Sequence, residues 1–202
     1  MTAPHGQFIV IEGLDGAGTT TQSAKLVAAF ERAGLPVIGT REPTQGPVGR
    51  LIRAALTGEP GAVSMPTLPW MFAADRSDHL HRLVLPQLDT GTTVISDRYL
   101  HSSLAYQSAF GPLDVVWSLN AHFPAPAITF FLDVPVQTCL DRIAARGEPT
   151  ELFEKRERLE AIHRQYEVIL GKLATRGDRI VRVDGTDTVE AIHATIAEVA
   201  LG

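Results

Sequence analysis

An α/β fold, built on a doubly wound five-stranded parallel sheet with helices on both faces, is what this sequence predicts, and two patterns predict it. Short apolar, β-branched runs alternate along the chain with longer stretches whose apolar residues recur three and four apart. Such alternation puts a helix between successive parallel strands, and right-handed crossovers then cover both faces of the sheet. The second pattern is a glycine-rich turn at 13–21, where the first apolar run hands over to the first helical stretch.

The elements follow in order. Residues 8–11, 36–40, 93–96, 127–132 and 179–183 are strand-length and nearly continuously apolar, as strands buried on both faces are. Residues 19–33, 68–88, 135–146 and 151–174 carry helical spacing; in the last, Leu159, Ile162, Tyr166, Ile169, Leu170 and Leu173 form one stripe. The segment 58–69, with three prolines, reads as a surface loop rather than a domain boundary. No repeat or linker interrupts the pattern, so residues 1–202 are expected to form a single domain. In sheets of this kind ligands bind beyond the carboxyl ends of the strands.

Charge and cysteine content narrow the function class. A net charge of −5 argues against a nucleic-acid or anionic-membrane partner, which the chain would repel. Lysine occurs only at 25, 155 and 172, so 15 of the 18 basic residues are arginine, whose planar fork suits phosphate oxygens. The single Cys139 excludes an internal disulfide framework and stands at helical spacing with Val136, Leu140 and Ile143, as a core thiol does. No run approaches the ~18 apolar residues of a membrane span, and no basic segment leads a long apolar one, so a cytoplasmic location is expected.

The turn itself reads Gly13-Leu14-Asp15-Gly16-Ala17-Gly18-Thr19-Thr20-Thr21. It is G-x-x-x-x-G followed by Thr-Thr where the phosphate-loop signature has Lys-Ser/Thr. Its glycines let successive N–H groups face phosphate oxygens, with a helix N-terminus behind them. Gly13, Gly16, Ala17, Gly18, Thr19, Thr20 and Thr21 are therefore the candidate ATP-binding set, with the Thr20 hydroxyl placed to ligate Mg²⁺. A plain strand-to-helix turn with a threonine cap is the bland alternative.

Four further motifs stand at strand ends or on the helix between them. Thr40-Arg41-Glu42-Pro43 follows the second strand, and Phe72-Ala73-Ala74-Asp75-Arg76 lies on the long helix. Asp97-Arg98-Tyr99 ends the third strand and leads to Ser102-Ser103-Leu104-Ala105-Tyr106-Gln107. Phe131-Leu132-Asp133-Val134 ends the fourth, ahead of Arg142 and Arg146-Gly147. Asp133 alone could simply cap the helix beginning near Pro135. His79 and His81, two apart on a helix, face apart and make a poor metal pair.

Taken in order, the five motifs resemble the thymidylate kinase family of P-loop nucleoside monophosphate kinases, over nearly the whole chain. The resemblance implies γ-phosphoryl transfer from ATP to dTMP, giving dTDP, with Mg²⁺, in a homodimer. It implies Asp15, Arg98 and Arg146 as catalytic, with Asp15 near the acceptor's 3′-hydroxyl and Arg146 in a lid at about 146–158. Arg41 and Arg98 would hold the acceptor phosphate, and Asp97, with Thr20, the metal. Phe72 would stack on the base, Arg76 and Gln107 would reach its polar edge, Ser103 would lie close by, and Tyr106 would exclude a 2′-hydroxyl. Residues 183–186, after the fifth strand, would lie near the adenine.

The sequence departs from the family pattern twice. Thr19 replaces the loop lysine, and the lid lacks a second arginine before Glu154, with Arg156 and Arg158 a turn further on. Two other readings remain open on the residues: a related kinase with a different acceptor, and a catalytically weak nucleotide-binding homologue.

Overall fold

The computed structural model describes residues 6–59, 62–146 and 152–202. Five strands, β1 (Phe8–Gly13), β2 (Val37–Arg41), β3 (Thr93–Asp97), β4 (Ile128–Asp133) and β5 (Ile180–Asp184), form one sheet in the order β2-β3-β1-β4-β5. Every neighbouring pair is parallel, with Ile9 opposite Ile95 and Ile128 in the central strand. Each expected strand is present, and all five run one or two residues further at the carboxyl end than their apolar runs suggest. Their last residues, Gly13, Arg41, Asp97, Asp133 and Asp184, are polar or glycine and stand where the loops of the site begin.

The helices are α1 (Thr19–Arg32), α2 (Pro47–Leu56), α3 (Leu68–His79), α4 (Leu85–Asp89), α5 (Leu100–Tyr106), α6 (Leu113–Asn120), α7 (Val136–Ala144), α8 (Leu152–Arg176) and α9 (Val189–Leu201). They pack in separate groups, α1 with α9 and α5 with α7 and α8. Side chains alternate along β1. Phe8 meets Tyr99 edge-on at 4.9 Å and Glu12 meets Ser102 and Tyr166, which assigns this face of β1 to the α5–α8 side.

The α8 stripe behaves as its spacing predicts: Leu159, Ile162, Tyr166, Ile169, Leu170 and Leu173 are all buried in the main core. Each such side chain contributes roughly 1.5–3 kcal/mol relative to exposure. A smaller cluster of Ile52, Ala55 and Leu68 joins α2 to α3 and supports Phe72 from behind.

Two expectations are corrected. The long helix expected over 68–88 is interrupted by a π turn at Leu80–Val84. Pro86 has no N–H to offer the carbonyl four residues back, and the wider turn accommodates that loss. The segment 58–69 is not loop throughout, because a 3₁₀ turn at Met65–Thr67 precedes α3, which begins at Leu68. The short helices α2, α5 and α6 fall outside the helical stretches read from the sequence. Among the described residues no helix is long and apolar enough to cross a membrane.

Candidate functional site

The glycine turn wraps from β1 into α1 as the motif requires. Gly16 and Gly18 have φ of 88° and 102°, left-handed values that a side chain would strain. A Cβ on Gly16 would also lie 2.5 Å from the Cys139 carbonyl oxygen, so the loop rests directly on α7. Cys139 itself is fully buried, and burial pushes its thiol up to about 11, which makes it the inert core thiol its spacing suggests.

Oxygen ligands meet beside the loop. Thr20 Oγ1 donates to Asp97 Oδ2 at 2.5 Å, and Arg41 Nη2 lies 3.4 Å from the same oxygen. The other oxygen, Asp97 Oδ1, is buried without a hydrogen-bond partner. These three residues share a cavity of about 500 Å³ with Ser23, Thr40 and His79.

A second, larger cavity of about 850 Å³ opens at Asp15 and Arg98. Phe72 and Arg76 from α3, Ser103 and Tyr106 from α5, and Gln107 just after it all line this cavity. The structure thus gathers seven of the eight expected acceptor-binding residues in one place. Arg41 is the exception, standing in the neighbouring cavity.

Arg98 sits at the seam between loop and cavity. It is the one non-glycine residue with positive φ among those described, at 76°. Its Nη1 donates to the Gly13 carbonyl at 2.8 Å and to Ser102 Oγ at 3.0 Å, and Nη2 donates to Asp15 Oδ1 at 2.8 Å. Burial opposes its charge, but Tyr106, Asp15, Tyr166 and Glu12 around it outweigh burial and raise its pKa well above the ordinary value. Tyr106 Oη accepts the Asp15 N–H at 2.9 Å, and burial raises the phenol so that it stays neutral.

Arg76, expected at the polar edge of the base, is held by a buried network. It is buried, with Nε and Nη2 on Glu42 Oε2 at 2.8 and 2.7 Å, Nη2 on Ser103 Oγ at 3.0 Å and Nη1 on Asn120 Oδ1. Glu42 continues to His79 Nδ1 at 3.0 Å, and His79 Nε2 to Thr40 Oγ1 at 2.8 Å. His79 is buried while His81 is exposed on the same stretch, so the two do face apart. Gln107 Oε1 is buried without a partner at the same cavity.

Several residues of this network have no site role that the sequence motifs assign. Glu12, Glu42, Ser102, Asn120 and Tyr166 look like ordinary strand-end or helix residues, and only the fold brings them together. Asp133 is also corrected: it does not cap α7, whose N-cap is Pro135, but pairs with Arg182 at 3.2 Å across β4 and β5.

The arginines around the loop and the lid stand apart from one another. Arg142 donates to the loop carbonyl of Ala17 at 3.3 Å and to Gly185 at 2.9 Å. Arg146 is exposed just past α7, and the lid residues 147–151 lie outside the described residues. Arg156 bonds Gln137 and lies 3.9 Å from Glu160. Arg158, over the Phe110 ring, lines the acceptor cavity rather than the loop.

Comparison with known proteins agrees with this architecture. The family model described as Thymidylate kinase matches residues 11–196. A protein of Thermococcus gammatolerans named "Probable thymidylate kinase" is 42% identical over 200 residues, 95% of this chain and 94% of that protein. One of the same name from Pyrococcus horikoshii is 39% identical over 198 residues, again 95% and 94%. The "Thymidylate kinase" of Xanthomonas oryzae pv. oryzae is 39% identical over 197 residues, 96% of this chain and 84% of that protein. With the motifs in their expected places on a five-stranded parallel sheet and this likeness running through nearly its whole length, the chain belongs to the thymidylate kinase family.

Proposed function

We propose that this protein transfers the γ-phosphoryl group of ATP to dTMP, giving dTDP, with Mg²⁺ as cofactor. The observation that carries the reading is the meeting of a phosphate loop and a base-sized cavity at Asp15 and Arg98. Phosphoryl transfer between two anions needs positioning and charge neutralisation more than covalent catalysis. The loop N–H groups and the start of α1 hold the donor phosphates. Arg98, fixed against Gly13 and Asp15, meets the transferred group and the acceptor phosphate. Arg41 reaches that phosphate from the neighbouring cavity, and Asp15 lies at the acceptor's sugar.

Thr20 and Asp97 fit a hard divalent cation: both offer oxygen, and one Asp97 oxygen is buried with no other partner. Bound there, Mg²⁺ would neutralise charge on the phosphate oxygens. Phe72 stacks on the base, while Gln107 and the guanidinium of Arg76, held by Glu42 and Asn120, meet its polar edge. Arg146 and the lid at about 146–158 close over the triphosphate. The family resemblance also supports a homodimer, which sedimentation at micromolar concentration would test, and a cytoplasmic single-domain enzyme.

A coupled ATP assay across a panel of nucleoside monophosphates tests the reading. Turnover with the highest kcat/KM for dTMP is expected. A better acceptor among the others would assign a different kinase, and no turnover at all would leave a nucleotide-binding homologue.

A further inference from the structure

We propose that Glu12 is the positioning residue for Arg98: its carboxylate, through Ser102 and the backbone at Tyr99, fixes the guanidinium against the phosphate loop. Glu12 stands one residue before the loop, at the end of β1, and has no exposed surface. Burying a carboxylate is unfavourable unless its oxygens are satisfied, and here four donors converge on them. The Tyr99 N–H (2.8 Å) and the Ser102 N–H (3.1 Å) donate to Oε1. The hydroxyls of Ser102 (2.7 Å) and Tyr166 (2.9 Å) donate to Oε2.

Three of these bonds bear on Arg98 through geometry. The Ser102 hydroxyl has one proton to give, and giving it to Glu12 turns an oxygen lone pair toward Arg98 Nη1, 3.0 Å away. The Tyr99 and Ser102 N–H bonds hold the backbone immediately after Arg98, where that residue is kept at φ 76°. A left-handed conformation costs a non-glycine residue free energy and persists only where its surroundings enforce it. Glu12 supplies the enforcement, and it also replaces a local cap at the start of α5, where Tyr99 offers none. A carboxylate at this point satisfies all four donors at once, which a neutral amide cannot do because half of its polar capacity is donor.

This inference rests on the reading of Arg98 as an acceptor-phosphate ligand, and the test keeps the two apart. Steady-state kinetics for dTMP and ATP, thermal unfolding, and the ¹⁵N guanidinium resonances of Arg98 are compared in wild type, Glu12→Gln, Arg98→Ala and the double variant. Glu12→Gln should fold, lower kcat/KM for dTMP by about 10²-fold through a misplaced guanidinium, and broaden the Arg98 resonances. KM for ATP should move less than about threefold, and the double variant should be only about threefold worse than Arg98→Ala, since both remove one function. If Glu12→Gln does not fold, Ser102→Ala carries the same test, because it removes the bridging hydroxyl and leaves the charge in place. A folded variant with sharp Arg98 resonances and unchanged dTMP kinetics overturns the proposal, as does a loss that adds fully to Arg98→Ala. A wild type inert toward dTMP would reject the kinase reading, while the Arg98 resonances would still decide whether Glu12 positions it.

Discussion

Arg98 donates to a carbonyl of the loop, a hydroxyl of α5 and the carboxylate of Asp15, all from one guanidinium. A side chain so constrained is preorganised, and losing one preorganised donor typically costs about 10²–10³ in rate. Arg98→Ala should therefore lower kcat/KM for dTMP by about that factor while the variant still melts cooperatively; near-wild-type kinetics would reduce Arg98 to a structural ion-pair partner. His101, two residues from Tyr99, poses a stability question instead. It is fully buried, 3.7 Å from Glu12 Oε1 and 3.3 Å from Thr129 Oγ1, and burial lowers its pKa to about 3. The folded state thus keeps the ring neutral, while the unfolded chain takes up a proton below about 6.5. Its contribution is present at neutral pH and lost as pH falls from about 6.5 toward 3. Glu12 acts in the opposite sense, since burial raises its carboxyl and the folded state holds that proton more tightly. Between pH 7 and 5, urea unfolding should show wild type losing roughly 2 kcal/mol more than His101→Phe. Parallel losses in the two proteins would show that His101 ionises freely in the fold.

At the scale of elements, the phosphate loop poses the sharpest question, because it lacks its lysine. Thr19 is buried at the start of α1 and brings no charge to the β- and γ-phosphates. Lys25 lies on α1 and pairs with Glu190 of α9 at 3.3 Å, so it is turned toward that helix. Arg158 lines the acceptor cavity and Arg156 bonds Gln137, so on the proposed reading Arg146 is the lid arginine that meets the triphosphate, with Arg142 already on the loop. If Arg146 compensates, Thr19→Lys should soften the loss caused by Arg146→Ala; additive free energies in that cycle, and again with Arg142→Ala, would reject compensation. The same elements show what could be read from sequence. Strands β1, β3 and β4 and the α8 stripe were legible because burial on both faces, or along one face, writes an unbroken or 3.6-residue apolar period; β2 and β5, partly exposed at the sheet edges, were legible from short β-branched runs. Helices α2, α5 and α6, of seven to ten residues, were not, since too few turns exist for a period to emerge. Site residues were legible where a motif fixes several of them locally, as in the loop or at Asp97-Arg98. Glu12, Glu42 and Asn120 were not, because their partners lie 34 to 154 residues away and only the sheet order brings them together.

Acceptor choice belongs to the whole molecule, since no single element makes the pocket. Phe72 comes from α3, backed by the α2 cluster; Tyr106 from α5; and Arg76 is held by Glu42 after β2, Asn120 of α6 and Ser103 of α5. The walls come from different elements that these contacts tie to one another. Tyr106 shows this most clearly. Its hydroxyl accepts the Asp15 N–H, its ring lies 5.2 Å beneath the Arg98 guanidinium, and its edge meets Tyr166 with centroids 6.2 Å apart. In the proposed pose a ribose 2′-hydroxyl would press against this ring, and burying it without a partner would add to the steric cost. The 5-methyl of thymine is a weaker criterion, because a missing methyl in an apolar pocket costs only ~1–3 kcal/mol. On the proposed reading Arg76 meets the base edge and can only donate, so a carbonyl would be accepted there and the amino group of cytosine would not. The expected order of kcat/KM is dTMP first, dUMP lower by about 10–200-fold, and UMP and dCMP lower still. Tyr106→Phe should leave that order intact, because the ring and not the hydroxyl excludes the ribose, whereas Tyr106→Ala should narrow the gap between UMP and dUMP. A wild type that turns over UMP as well as dUMP, or a Tyr106→Ala variant that leaves their ratio unchanged, would show that the sugar is selected somewhere other than this ring.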